Sequence, residues 1–141
     1  MDYKITIPLD SVFDAYERPV GDTIMKYFLR SFKADSLGYV SGMVMDDDDL
    51  KTGPYYITCR NLTRTLRDHS VRIGTSGSFS LNHLIPGKYS VAAFRDDDSN
   101  GVFSYGRVSP ILFSEKFISY ADTLTVRPNW ETSNVILRFR K

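Results

Sequence analysis

Apolar and polar residues alternate with a period of two along much of the chain, in short runs separated by turn-forming residues. The clearest run is the last, where Val135, Leu137 and Phe139 share one face of an extended strand and Arg138 lies on the other. No window of about twelve residues carries the i, i+3, i+4, i+7 apolar stripe of a surface helix. Residues 109–118 fit either a helix or a loop, because Pro110 lies near the start of that stretch.

The alternation within residues 36–141 predicts about seven short strands, with a turn after about every eight to twelve residues. This spacing is typical of an all-β fold, an antiparallel β-sandwich. Residues 62–73, which are rich in arginine, are expected to form an exposed or edge strand. The positions predicted to face the core are Val40, Val44, Ile57, Val91, Leu124, Val126, Val135, Leu137 and Phe139.

Residues 1–35 follow a different pattern, with two strands at about residues 3–9 and 23–32 around a polar turn. A lone pair of strands buries too little surface to be stable by itself. We therefore interpret this N-terminal β-hairpin segment in one of two ways. It is either the end of a neighbouring domain whose earlier strands are missing, or a pair of strands donated to the sandwich that follows.

The composition indicates the class of protein but not its function. The chain is 42% hydrophobic and 25% charged, as in soluble globular proteins, and its formal net charge is +1. That balance gives no general electrostatic reason to bind nucleic acid. No apolar run approaches the roughly 20 residues of a transmembrane helix, and the first residues lack the architecture of a signal peptide. Cys59 is the single cysteine, so no internal disulfide forms, and its apolar neighbours predict a buried side chain.

The segment after the predicted strand at residues 88–95 has the strongest metal-binding pattern. Asp96, Asp98 and Asn100 place oxygen atoms at alternate positions ahead of Gly101, as at the start of many calcium loops. We predict a weak calcium site built from these three side chains and a backbone carbonyl near residue 102. Two nearby carboxylates, Asp97 and Glu115, are candidates to approach from outside the loop. The alternative is a solvated turn whose side chains cap their own backbone.

The other polar clusters are weaker candidates for a metal site or a catalytic site. Residues 46–49 are four consecutive aspartates, which predict a solvated loop, with a second cation site as the weaker interpretation. His69 has Asp68 and Ser70 beside it, but neighbours on a strand point to opposite faces, which does not suit a catalytic triad. No set of residues predicts catalysis, and we expect a protein that is not an enzyme.

Exposed aromatic side chains are candidates for a further kind of site, one that binds sugars by stacking. Most of them fit a core, and we expect Trp130 to plug one end of the sandwich. Phe103 and Tyr105, beside the acidic loop, are the pair expected to be exposed and able to stack on sugars. Exposure of these three rings separates a glycan-binding module from a purely structural one, because burial of all three removes every candidate for stacking.

Two stretches of the chain resemble known families. Residues 5–16 and 22–32, which include Ile-Pro and a Tyr-Phe-Leu-Arg-Ser-Phe strand, resemble the last strands of bacterial Ig-like domains found in secreted lipoproteins. Residues 77–101, with Pro-Gly-Lys-Tyr ahead of an Asp/Asn/Gly loop, are similar to the transthyretin-like (carboxypeptidase-regulatory-like) sandwich, and residues 126–131 are similar to the end of the same tandem. The resemblance implies a partial Ig-like segment at 1–35 and a transthyretin-like β-sandwich at 36–141.

The resemblance also implies a function and a location. Such modules are usually non-catalytic parts of secreted, periplasmic or surface-attached bacterial proteins, with any lipid anchor lying outside this sequence. We therefore expect a structural or interaction module that positions or binds a protein partner in the cell envelope, or neighbouring domains of a larger chain. The alternative is a glycan-binding β-sandwich with an optional Ca²⁺ ion. Neither nucleic acid nor a transmembrane segment is expected.

Overall fold

The computed structural model describes residues 2–21, 23–48 and 53–141. The described residues form ten β-strands and two short 3₁₀ turns, Leu9–Ser11 and Ala34–Ser36, and they contain no α-helix. The all-β class predicted from the period-two pattern is thereby confirmed. The chain divides into two compact units, Met1–Lys33 and Ala34–Lys141, here called unit 1 and unit 2.

Unit 1 is an antiparallel hairpin of β1 (Asp2–Pro8) and β2 (Ile24–Arg30). Directly paired residues share a face, so the register sorts the side chains into two groups. One face carries an ion pair between Asp2 and Arg30 at 2.9 Å and is of mixed character, since its other residues are Lys4, Thr6, Pro8, Ile24, Lys26 and Phe28. The opposite face is entirely apolar, and it consists of Tyr3, Ile5, Ile7, Met25, Tyr27 and Leu29. No side chain of these two strands is buried.

Unit 2 contains the other eight strands in two sheets. The strands are β3 (Gly38–Asp46), β4 (Tyr55–Asn61), β5 (His69–Ile73), β6 (Gly77–Leu84), β7 (Gly87–Arg95), β8 (Phe117–Ser119), β9 (Leu124–Val126) and β10 (Glu131–Phe139). One sheet has the order β10-β3-β6 and the other the order β5-β4-β7-β8, with β9 also pairing with β7. All described pairs are antiparallel except β10 with β3. The end of the arginine-rich segment forms β5, which is an edge strand as expected, but residues 62–68, which were expected to belong to the same strand, form a loop.

The core of unit 2 lies between the inward faces of these sheets. Tyr55, Tyr89 and Leu84 are among its largest fully buried side chains. All of the nine positions predicted from the alternation are buried, from Val40 in β3 to Phe139 in β10. The predicted core is thereby confirmed. The test is strict, since a shift of any of these strands by one residue would have turned its apolar side chains outward.

In the second half of unit 2, one open alternative is decided and one expectation is wrong. Residues 109–118, which fit either a helix or a loop, form a loop that runs into β8, because Arg107 and Leu112 exchange backbone hydrogen bonds of 3.0 and 2.9 Å across Pro110. Trp130 does not plug the core, since its side chain is 63% exposed. Its carbonyl accepts a hydrogen bond from the Tyr39 N–H at 3.2 Å, so the turn between β9 and β10 is held by backbone atoms while the indole faces outward.

Candidate functional site: an acidic end of the sandwich with an apolar loop

The acidic loops that follow β3 and β7 come together at one end of unit 2. The guanidinium of Arg95, the last residue of β7, joins them through ion pairs to Asp46 at 2.9 Å, Asp48 at 3.2 Å and Asp97 at 2.6 Å. The Arg95 side chain is only 6% exposed, and that of Asp46 is fully buried. Since β3 and β7 belong to different sheets, this network ties the two sheets together.

Burial and hydrogen bonding set the ionisation of this network. Burial disfavours charge on Arg95, but hydrogen bonds to Asp97 and Asp46 outweigh it and raise the guanidinium pKa. Burial likewise acts to raise the pKa of Asp46, yet bonds from the Asp48 N–H, the Tyr55 hydroxyl and Arg95 hold that pKa below its usual value. Burial, and then the hydrogen bond to Asp46, raises the pKa of Tyr55 to about 12. At neutral pH the network therefore contains the charged pair of Arg95 and Asp46 and the neutral phenol of Tyr55.

The run of aspartates after β3 differs from the solvated loop that its sequence predicts. Asp46 is buried and accepts the Tyr55 hydroxyl at 2.7 Å. Asp47 pairs with Arg138 at 2.8 Å, and Asp48 pairs with Lys116 at 2.9 Å. The fourth aspartate, Asp49, lies outside the described residues. The expectation of a merely solvated run was wrong at Asp46 because the cations that neutralise these carboxylates come from distant strands.

The loop after β7 is organised by its own carboxylates. Asp96 is buried, and its two carboxylate oxygens accept the N–H groups of Asn100 at 3.0 Å and Gly101 at 2.9 Å. Asp98 accepts the Asn100 side-chain amide at 2.7 Å and the Ser104 hydroxyl at 3.2 Å. Gly101 has a φ of +79°, a backbone conformation that suits glycine at the tight turn expected there.

Two of the three side chains predicted to bind calcium converge, and a third carboxylate joins them. Ligand oxygens of Asp96, Asp98 and Glu115 all lie within 4.8 Å of one another. Two oxygens bound to one calcium ion at about 2.4 Å lie up to about 4.8 Å apart, so this spacing fits a shared cation. The Asn100 side-chain oxygen instead accepts the Val102 N–H at 2.7 Å and closes the turn.

Glu115 connects the acidic loop to the longer loop that precedes β8. One of its carboxylate oxygens accepts the Asp97 N–H at 3.0 Å, and the other accepts the Ser104 N–H at 2.9 Å. The Glu115 N–H in turn donates to the Ser104 carbonyl at 3.0 Å. These bonds bury Glu115 and fix the base of residues 104–115 against the acidic loop.

The two aromatic residues expected to be exposed differ in their surroundings. Phe103 is half-buried, with its ring 5.7 Å from the ring of Phe94 and 5.7 Å from that of Phe117. Tyr105 is 86% exposed and meets Phe103 edge to face at 4.8 Å. Phe103 therefore anchors the loop to β7 and β8, while Tyr105 presents a free ring.

Besides Tyr105, whose exposure was predicted, the loop exposes four apolar side chains whose exposure was not predicted. We call the cluster of all five the apolar tip; its residues are Tyr105, Val108, Ile111, Leu112 and Phe113. All five are more than half exposed, and Phe113 reaches 92%. Within the tip, Arg107 and Leu112 exchange two backbone hydrogen bonds, and the chain packs closely at Gly106, where a Cβ would lie 2.6 Å from the Leu112 carbonyl oxygen. The available signal was an apolar stretch without period-two alternation next to Gly106 and Pro110.

The reactive side chains singled out by sequence lie apart from this end of unit 2. Asp68 pairs with Arg60 at 3.0 Å. Cys59 is buried in the core, and burial followed by the charge of Asp68 raises the pKa of its thiol to about 12. A thiol with that pKa stays protonated at neutral pH and is a poor nucleophile.

Among the residues that the structure describes, no helix is both long and apolar enough to cross a membrane.

Comparison with known proteins adds no assignment of family or function. No protein-family model, curated protein or solved structure matches the chain.

Proposed function

We propose that unit 2 is a non-catalytic interaction module that binds a protein partner through the apolar tip. The observation that carries this proposal is the exposure of five apolar side chains on one loop that is crossed and closed by backbone hydrogen bonds. Contiguous exposed apolar surface is costly in water and marks interaction sites in soluble proteins. A loop fixed before binding loses less conformational entropy when a partner covers it.

The resemblance to bacterial envelope proteins supplies the setting of this proposal. We propose that the chain belongs to a secreted, periplasmic or surface-attached protein, with unit 1 as the last strands of an Ig-like domain and unit 2 as a transthyretin-like sandwich. A rigid sandwich that presents variable end loops is suited to positioning neighbouring parts of such a protein. Fractionation of the native cells, with an antibody against unit 2, tests the location; recovery with the cytosolic fraction would contradict it.

The tip is tested with peptides selected from a random display library against the whole chain. The Phe113→Ser variant is expected to weaken binding of the selected peptides about thirtyfold, which is the effect of losing one interface hot spot. Titration calorimetry measures this change. The matched control is Trp130→Ser, which removes another exposed aromatic ring of unit 2 and should leave the affinity unchanged. Equal binding by the wild type and Phe113→Ser, or no selected peptide at all, would refute the proposal.

The acidic loop carries a second proposal, that of weak calcium binding by Asp96, Asp98 and Glu115. A site with few carboxylates is expected at the weak end of the range, with a Kd of about 10⁻⁴ to 10⁻³ M. Calcium at a hundredfold excess over Kd should stabilise the folded chain by about 2.7 kcal/mol. Differential scanning fluorimetry should therefore show a higher Tm in calcium and no such rise for Asp98→Asn. The control is Asp47→Asn, which should keep the rise, and a Tm indifferent to calcium would leave the loop a self-capped turn.

A glycan-binding module with an optional calcium ion is the alternative, favoured by the exposed ring of Tyr105 beside carboxylates that can accept sugar hydroxyls. A glycan array tests it. Binding of a glycan that is lost in Tyr105→Ala and kept in Trp130→Ala would support this function over protein binding. An array without a hit that depends on Tyr105 would remove it.

A further inference from the structure

We infer that the segment that docks on the apolar tip carries a lysine or arginine next to its apolar residues. This inference rests on the proposed function and adds the chemistry of the partner. Its basis is a groove of about 690 Å³ beside the tip, with Tyr105, Leu112 and Phe113 among its apolar walls and Asp98 and Glu115 at its acidic end. One occupant must therefore satisfy both an apolar surface and a set of carboxylates.

Three carboxylates line the groove, those of Asp97, Asp98 and Glu115. Asp97 pairs with Arg95, whose guanidinium also pairs with Asp46 and Asp48. Asp98 and Glu115 accept hydrogen bonds from backbone N–H groups, an amide and a hydroxyl, and within the described parts of the chain neither of them forms an ion pair.

Arg107 also lines the groove, as its single cationic side chain among the described residues. One arginine offsets one of the two carboxylates that form no ion pair, Asp98 and Glu115, so the groove keeps a negative balance.

The negative charge of the groove affects which partners can dock on the tip. A partner that covers the tip also removes water from Asp98, the exposed carboxylate of the groove, whereas Glu115 is already buried. A desolvated carboxylate without a compensating charge is costly. A lysine or arginine on the partner supplies that charge, while an acidic segment adds repulsion. The same carboxylates oppose a membrane surface rich in anionic lipid, so the occupant favoured by charge complementarity is a basic and apolar protein segment.

The experiment uses the peptides selected against the whole chain, with all titrations in a metal chelator. The selected sequences are expected to be enriched in lysine or arginine beside aliphatic or aromatic residues. Changing that basic residue to glutamate should weaken binding at least about tenfold, and Asp98→Lys should weaken binding of the original peptide while restoring binding of the glutamate peptide. Recovery by the paired charge reversal is a result that general destabilisation of the loop does not produce.

The outcomes separate this inference from the proposed function. Peptides that need Phe113 but are uncharged or acidic, or that bind Asp98→Lys as well as the wild type, would overturn the inference and leave the docking tip in place. Loss of any dependence on Phe113 would overturn the proposed function itself. Binding of the chain to phosphatidylcholine and phosphatidylserine vesicles that requires Phe113 would also overturn the inference, because the occupant would then be an anionic lipid surface.

Discussion

Replacing Arg95 with methionine is expected to lower the free energy of unfolding by about 3–5 kcal/mol, since it removes one partner of a buried ion pair and leaves the other uncompensated. The partner left behind is Asp46, whose side chain is fully buried and whose remaining hydrogen bonds come from Tyr55 and the Asp48 N–H. Methionine keeps much of the volume of the arginine stem, so the loss reports charge and hydrogen bonding more than packing. Urea denaturation followed by far-ultraviolet circular dichroism measures the change.

The matched control for Arg95 is Arg138→Met. Arg138 pairs with Asp47 in the same run of aspartates, but the two side chains are 57% and 38% exposed, and an exposed pair contributes about 0–1 kcal/mol. If Arg95→Met costs no more than Arg138→Met, the buried network does not stabilise the sandwich end.

The stability difference between the wild type and Arg95→Met should also depend on pH. The pKa of Asp46 is lower in the folded chain than its ordinary value of 3.8, so its charged form contributes stability that is present above that pH. This contribution is lost as the pH falls from about 3.8 through the folded pKa. The difference between the two proteins should therefore be largest near neutral pH and should shrink in acid. A difference that stays constant down to full acid unfolding would contradict the role of Asp46.

Replacing Leu137 with alanine is expected to destabilise unit 2 by about 2–5 kcal/mol, because it opens a cavity between the two sheets. Leu137 lies in β10 with no exposed surface, and β10 pairs with β3 across Val44, which is also buried. Urea denaturation of the whole chain measures the loss.

The control for Leu137 is its neighbour Ile136. The two residues are adjacent on β10, but the Ile136 side chain is 54% exposed on the outer face of the sheet. Ile136→Ala should cost clearly less than Leu137→Ala, since its side chain already contacts water. Equal losses would mean that the register of β10 differs from the one described.

Much of the fold of unit 2 could be predicted from the sequence because its information is local. In a strand the side chains alternate between faces, so the period of Val135, Leu137 and Phe139 already separates the core face from the wet face. The same rule placed Val40 and Val44 of β3 inside. Residues 104–115 carry no such period, and their backbone is set by the Arg107–Leu112 pair and by bonds to Glu115. This explains why the sequence left residues 109–118 open between a helix and a loop, and why exposure of the apolar residues after Tyr105 was not predicted.

In the candidate site, too, local features could be predicted from the sequence and tertiary contacts could not. Asp96 and Asp98 could be recognised because the spacing of oxygen ligands within one turn is a local property. Glu115 could be named only as a candidate, since its approach depends on how the loop before β8 folds back onto the acidic loop.

By itself the sequence determined the all-β class, most of the strands and the inward faces of β3, β4, β7, β9 and β10, because alternation of side chains needs no knowledge of the rest of the chain. Tertiary structure alone decided which loops meet. Arg95 reaches Asp46 across 49 positions of sequence and joins two different sheets, and a contact of that kind follows from the order of strands in the sheets, which no local pattern encodes. It also decided that the two acidic loops and the apolar tip share one end of the sandwich, where the carboxylates acquire their neighbours.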